Sequence, residues 1–192
     1  MELKPPEPGG VSSAIHTISG EITGALRALD VSDCQSAAGL IVSARRLYFT
    51  GAGRSGIGMG MNAMRFMHLG LAVHLIGEPT APAIGPGDVV VAPSGSGTTE
   101  SVLSIVRKAR SAGARIVALT TSEDSPLSAL ADVSIIVAAA GKQNPDAATT
   151  VQYAGSLFEQ TVVLTLDSLF HAIWQANEIV TNVLWARHAN WE

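Results

Sequence analysis

One cysteine, three lysines and no long apolar run set the first limits on this 192-residue chain. Cys34 is the single cysteine, so no disulfide can form within the chain, which fits a reducing compartment. The lysines are Lys4, Lys108 and Lys142, and the formal net charge is −4, from 12 basic and 16 acidic residues. No basic run or basic helix face occurs, so nucleic acid is not an expected partner. No apolar stretch reaches membrane-spanning length: the longest candidate, Val162 to Trp174, is broken by Thr165, Asp167, Ser168 and His171. Met1 to Gly10 is rich in proline and charge and holds no apolar segment suited to a signal peptide. A cytoplasmic protein without membrane contact is expected. The histidines, His16, His68, His74, His171 and His188, show no metal-ligand spacing with one another or with Cys34, so no metal site is expected.

What is present is a core. Apolar residues make up 47% of the chain and charged residues 15%, enough for one well-packed domain with a surplus that points to buried subunit contacts. Residues 1–10 read as a disordered lead-in and 11–192 as a single domain. Ile15, Ile18, Ile22, Leu26 and Leu29 mark a first helix over Val11–Leu29. A second is expected from a cap at Ser32 or Asp33 to about Ala44. Strand-like runs follow at Leu47–Thr50, Val73–Ile76, Val89–Ala92, Ile116–Thr120 and Val133–Ala138. Helices are expected between them at Gly56–Leu69, Thr99–Ala112 and Pro126–Ala131, with a loop or one helical turn over Gly77–Asp88. A last helical region spans Ser156 to Asn190, with a junction near Gln175–Asn177.

The strands are continuously apolar, not alternating, which implies burial on both faces in a parallel sheet covered by helices. Right-handed crossovers then select an α/β fold with a single doubly wound domain and strand order 2-1-3-4-5. The segment Leu157–Trp174 is apolar on more than one face, so a subunit interface is a natural second burying surface.

In such a sheet, ligands bind beyond the carboxyl ends of the strands at the point where strand order reverses. Two loops of unusual composition fall there. Ser94-Gly95-Ser96-Gly97-Thr98-Thr99 combines glycines, which let backbone amides turn inward, with hydroxyls at Ser94, Ser96 and Thr99 at the start of a helix. That is a phosphate cradle in composition, although a flexible turn with an ordinary cap has the same residues. Gly51-Ala52-Gly53-Arg54-Ser55-Gly56 fits the dinucleotide fingerprint G-x-G-x-x-G, with Glu78 roughly 20 residues beyond it in place of a ribose-binding carboxylate. Against a dinucleotide, Arg54 and Ser55 are polar where that motif packs small or apolar residues.

Glu159 carries two readings. With Ser156 it spells S-x-x-E, a helix capping box. Set beside Leu157 and Phe158, it is also a carboxylate suited to abstract a proton as a general base. His68 ends the helix after the first glycine loop, where a helix dipole alone would favour a histidine. His188 lies in the terminal segment, where plain solvent exposure is the simple reading.

Taken together, Gly51–Gly56, Met64-Arg65-Phe66-Met67-His68-Leu69-Gly70, Ser94–Gly97, Gly155-Ser156-Leu157-Phe158-Glu159-Gln160 and Arg187-His188-Ala189-Asn190 resemble the 6-phospho-3-hexuloisomerases of the sugar isomerase (SIS) domain family. The resemblance runs in order from about Val11 onward. Thr98, where relatives commonly carry glutamate, the segment Thr149–Ala154 and Trp191 depart from the pattern. The resemblance implies a five-stranded parallel sheet flanked by helices, a homotetramer, and interconversion of 3-hexulose 6-phosphate with fructose 6-phosphate in the ribulose monophosphate route of formaldehyde fixation. It also implies a functional link to the synthase that makes the substrate. On this reading Glu159 moves the proton and Arg54 stabilises the enediolate. His68 or His188, from the same or a neighbouring subunit, shuttles hydroxyl protons. Ser55, Ser94, Ser96 and Thr99, with the backbone at Gly53 and Gly95, hold the phosphate. No metal or redox cofactor is required. An isomerase of another sugar phosphate, a non-catalytic sugar-phosphate sensor and a dehydrogenase are the alternatives.

Overall fold

The computed structural model describes residues 3–139 and 150–190, so Thr149 and Trp191 lie outside the described residues. The elements run α1 (Gly10–Arg27), α2 (Val31–Ser43), β1 (Leu47–Phe49), α3 (Gly53–His68), β2 (Val73–Leu75), β3 (Val89–Pro93), α4 (Glu100–Ser111), β4 (Arg115–Thr120), a 3₁₀ turn (Ser128–Leu130), β5 (Val133–Ile136), α5 (Ser156–Ala176) and α6 (Thr181–Trp185). The five strands form one sheet in the order β2-β1-β3-β4-β5, and every pair is parallel. The register places Leu47 beside both Val73 and Val89.

The period of two along each strand sorts its side chains between two cores. Leu47, Phe49, Val89, Val91, Val117 and Leu119 face α2, α3 and α5, where they meet Ile41, Met59, Phe66, Phe158, Val162 and Leu166. Tyr48, Val90, Ala92, Ile116 and Ala118 face the opposite way, toward Val102, Leu103 and Val106 of α4. Both faces are therefore apolar, which is why the strand sequences do not alternate. Phe66 is fully buried against the tilted Phe49 ring and the edge of Phe170, and cutting such a side chain to alanine costs about 3–5 kcal/mol. The base of the sheet is tied by Asp88, which is fully buried and accepts hydrogen bonds from Arg45, Arg46 and the Gly85 amide.

Several local expectations shift. The cap of α2 is Asp30, not Ser32 or Asp33, because its Oδ1 accepts from the Ser32 and Asp33 amides at 2.7 and 3.3 Å. Helix α3 starts inside the glycine loop, three residues before Gly56, since Ala52 takes the extended cap conformation and accepts the Gly56 amide. The segment Pro126–Ala131 makes only a 3₁₀ turn: the Ser125 hydroxyl engages the Ser128 amide, and Ala131 is already extended. Gly77–Asp88 is a loop with no helical turn. The last region breaks after Ala176, as expected, into a long helix and the single-turn α6. Among the described residues, no helix is long and apolar enough to cross a membrane.

Candidate active site

The two glycine-containing loops meet at the carboxyl ends of β1 and β3, where the strand order reverses. The turn from β1 into α3 is tight: a Cβ on Gly56 would sit 2.7 Å from the Gly51 carbonyl oxygen, so only glycine allows the chain to fold back so closely. In the second loop Gly97 has φ +63°, and a Cβ there would lie 2.3 Å from the Ser125 Cβ. The Gly95 carbonyl accepts from the Thr121 amide and from the Thr120 and Thr121 hydroxyls, which pins this loop to the end of β4.

Between the loops lies a cavity of about 250 Å³ bordered by Gly53, Ser55, Ser94, Ser96 and Thr99, with the Phe158 ring as its apolar wall. The Ser94 and Thr99 hydroxyls are 2.9 Å apart. Thr99 precedes α4 but does not cap it with its side chain, so the ordinary-cap reading of this loop does not hold. The first amides of α4 thus keep their capacity for an anion, helped by the positive end of the helix dipole. Ser96 Oγ accepts from both the amide and the hydroxyl of Thr98, at 3.3 and 2.9 Å, which leaves its own hydrogen for another acceptor.

Arg54 and Glu159 stand on the other side of this wall. Arg54 Nη1 donates to Glu159 Oε2 at 3.2 Å and to Ser156 Oγ at 3.1 Å. The Glu159 side chain is 8% exposed, while the arginine side chain is 57% exposed. Ser156 is the first residue of α5, not its cap, and its hydroxyl donates to the Tyr153 carbonyl. The capping box is therefore not formed, and the Glu159 side chain is turned to the arginine. The pair borders a second depression of about 310 Å³ with Ile22, Ile57, Met61 and Val163.

The fold thus gathers Gly53, Arg54, Ser55, Ser94, Gly95, Ser96, Thr99 and Glu159 at one end of the sheet. It does not bring His68 or His188 there. His68 closes α3, fourteen residues after Arg54, which at 1.5 Å per residue sets them roughly 21 Å apart along the axis. His68 is buried, its ring stacks on that of His188 at 4.3 Å, and its carbonyl accepts from Arg187 at 2.9 Å. His188 is exposed but also packs against the Trp185 ring. Burial, then the charges of His188 and Arg65, push the His68 imidazole below the ordinary histidine value. Glu78, the carboxylate expected of a dinucleotide site, accepts from the Leu75 amide and lines a different hollow beside Tyr48. Ser156 and Phe158 join the site although the sequence marks Ser156 only as a capping-box residue and Phe158 only as a member of the Gly155–Gln160 motif.

A hydroxyl-rich loop and a buried carboxylate–arginine pair thus lie at one end of a five-stranded parallel sheet, an arrangement suited to a phosphorylated ligand. The chain belongs to the SIS domain family, which matches residues 40–164. It is 41% identical over 182 residues to the 3-hexulose-6-phosphate isomerase of Mycobacterium gastri, covering 95% of this chain and 92% of that protein. With the enzyme of the same name from Bacillus subtilis it shares 35% identity, covering 79% of this chain and 83% of the relative. A crystal structure from Methanococcus jannaschii, from which a 3-hexulose-6-phosphate isomerase function was inferred, matches with a TM-score of 0.79 at 28% identity, covering 94% and 99%. The resemblance read from the sequence motifs is borne out by these relatives.

Proposed function

We propose that this protein interconverts 3-hexulose 6-phosphate and fructose 6-phosphate through a 2,3-enediol(ate), in the ribulose monophosphate route of formaldehyde fixation. Support comes from relatives of that name that match over most of the chain, and from a buried carboxylate one residue beyond Phe158, the apolar wall of the hydroxyl-lined cavity. Moving the carbonyl from C3 to C2 requires that a proton leave C2 and one return to C3 while a proton passes between the two oxygens. Glu159 takes the C2 proton and delivers one to C3. Arg54, held against it, stabilises the charge that builds on the enediolate oxygens. The phosphate sits against Ser55, Ser94, Ser96 and Thr99 and the backbone at Gly53 and Gly95, which fixes the register of the sugar carbons.

The oxygen-to-oxygen transfer is assigned to His68 or His188 of a second copy of the chain. Ile57, Met61, Met64 and Met67 form an exposed apolar stripe that joins the two ends of α3. Met61 is seven residues from both Arg54 and His68. A two-fold axis beside Met61 would therefore lay the His68 end of one copy against the Arg54–Glu159 end of the other. A second exposed apolar group on and before α6, Val180, Val183 and Trp185, suits the further contact a tetramer needs. A reducing cytoplasm, shared with the synthase that supplies the substrate, suits the lone Cys34.

The test is a coupled assay in which a synthase forms 3-hexulose 6-phosphate from ribulose 5-phosphate and formaldehyde while fructose 6-phosphate is followed. Product formation that depends on this protein is expected. A folded protein that binds inorganic phosphate yet yields no fructose 6-phosphate would reject the assignment.

A further inference from the structure

Outside the site, one carboxylate gathers an unusual set of donors. Glu21, on α1, accepts from the Thr150 hydroxyl at 2.7 Å, the Val151 amide at 2.8 Å and the Gln152 side-chain amide at 2.8 Å. Three successive residues, about 130 positions away, thus converge on both oxygens of one side chain. Hydrogen bonds to an ionised acceptor are roughly twice as strong as neutral ones. Burial alone would raise the Glu21 carboxyl above the ordinary glutamate value, but the donors from Thr150, Val151 and Gln152 outweigh it and leave the group below that value.

Two side chains of this segment lie outside the core. Val151 and Tyr153 are 81% and 91% exposed, so neither anchors the strap by burial. Ala154 takes a left-handed conformation, φ 51°, which is strained for a residue with a Cβ and persists only where the surroundings impose it. The Ser156 hydroxyl grips the Tyr153 carbonyl on one side of that residue, and Glu21 grips 150–152 on the other. The strap then delivers Gly155 to the edge of the cavity, Ser156 to the Arg54 guanidinium and Glu159 to the first turn of α5.

We propose that Glu21 is a positioning residue: through the strap 150–155 it sets the start of α5 and with it the Arg54–Ser156–Glu159 arrangement. Its catalytic consequence rests on the isomerase reading, whereas its structural consequence does not. The phosphate cavity is built mainly from the β1–α3 and β3–α4 loops, so its affinity should be largely independent of Glu21.

The purified full-length protein allows both levels to be read. E21A should lower kcat at least tenfold while KM and affinity for inorganic phosphate change less than threefold. Amide hydrogen exchange over residues 153–159 should speed at least tenfold, with β1 and β3 unchanged. The double variant T150V/Q152L, which removes side-chain donors from the other partner, should give a similar but smaller effect, and adding it to E21A should produce no further loss. Unchanged exchange in E21A, or full additivity with T150V/Q152L, would overturn the proposal. An inactive wild-type protein would refute the isomerase reading, and the exchange measurement would still decide the role of Glu21.

Discussion

The two ends of α3 differ in almost every physical respect. At the amino end Arg54 is largely exposed, yet it is committed to a buried glutamate and lies next to Gly53 and Ser55 of a cavity lined with hydroxyls. At the carboxyl end His68 is buried, stacked on another imidazole and bridged through its carbonyl to Arg187. The helix dipole favours an anion at the first end and a protonated histidine at the second. The first preference agrees with a phosphate site. The second is overridden, because burial and the nearby charges of His188 and Arg65 hold His68 toward its neutral form. A rigid helix keeps these ends apart within one chain, so acid–base chemistry that uses both needs two chains.

The largest test of this contrast is at the amino end. E159Q should reduce kcat by about 10²–10⁴-fold with KM nearly unchanged, as measured by steady-state kinetics, because only the proton transfer is lost. If turnover survives, Glu159 is a structural partner of Arg54 and no more. A smaller effect is expected from S94A. It removes one hydroxyl from the phosphate cavity, and a hydrogen bond to a charged group contributes about 1.5–3 kcal/mol. KM should therefore rise roughly tenfold or more with kcat little changed. Inorganic phosphate, as a competitive inhibitor, should weaken in parallel.

The smallest effect belongs to the carboxyl end and is one of stability. Because the folded His68 value lies below that of the unfolded chain, the unfolded state binds protons more readily. Its contribution is fully present above about pH 6.5, the ordinary histidine value, and is lost as pH falls through the lower folded value. Thermal melts across pH 7.5 to 5 should show a decline of a few degrees that H68N reduces. An identical decline in H68N would assign it to other groups.

The contrast was only half legible in the sequence. Continuous apolar runs at Val89–Ala92 and Ile116–Thr120 revealed a doubly covered parallel sheet, and its order placed the two glycine loops side by side. The S-x-x-E spacing could not reveal whether Ser156 precedes the helix or begins it, since a shift of one residue decides between a cap and a partner for Arg54. Asp30, Ser32 and Asp33 are all good caps, and only backbone geometry selects Asp30. The Glu21 contacts were invisible because nothing in local sequence links residue 21 to residues 150–152. The separation of His68 from Arg54, by contrast, follows from helical rise once α3 is recognised.

The most direct test is to mix E159Q and H68A proteins, dissociate and reassociate them, and assay fructose 6-phosphate formation. If each site takes Glu159 from one copy and His68 from another, a mixed dimer contains one site with both residues intact and one with neither. Activity should then recover to about a quarter of wild type in a random equal mixture of two near-inactive parents. A mixture that stays at the level of its parents, despite confirmed exchange of subunits, would contradict a site shared between chains.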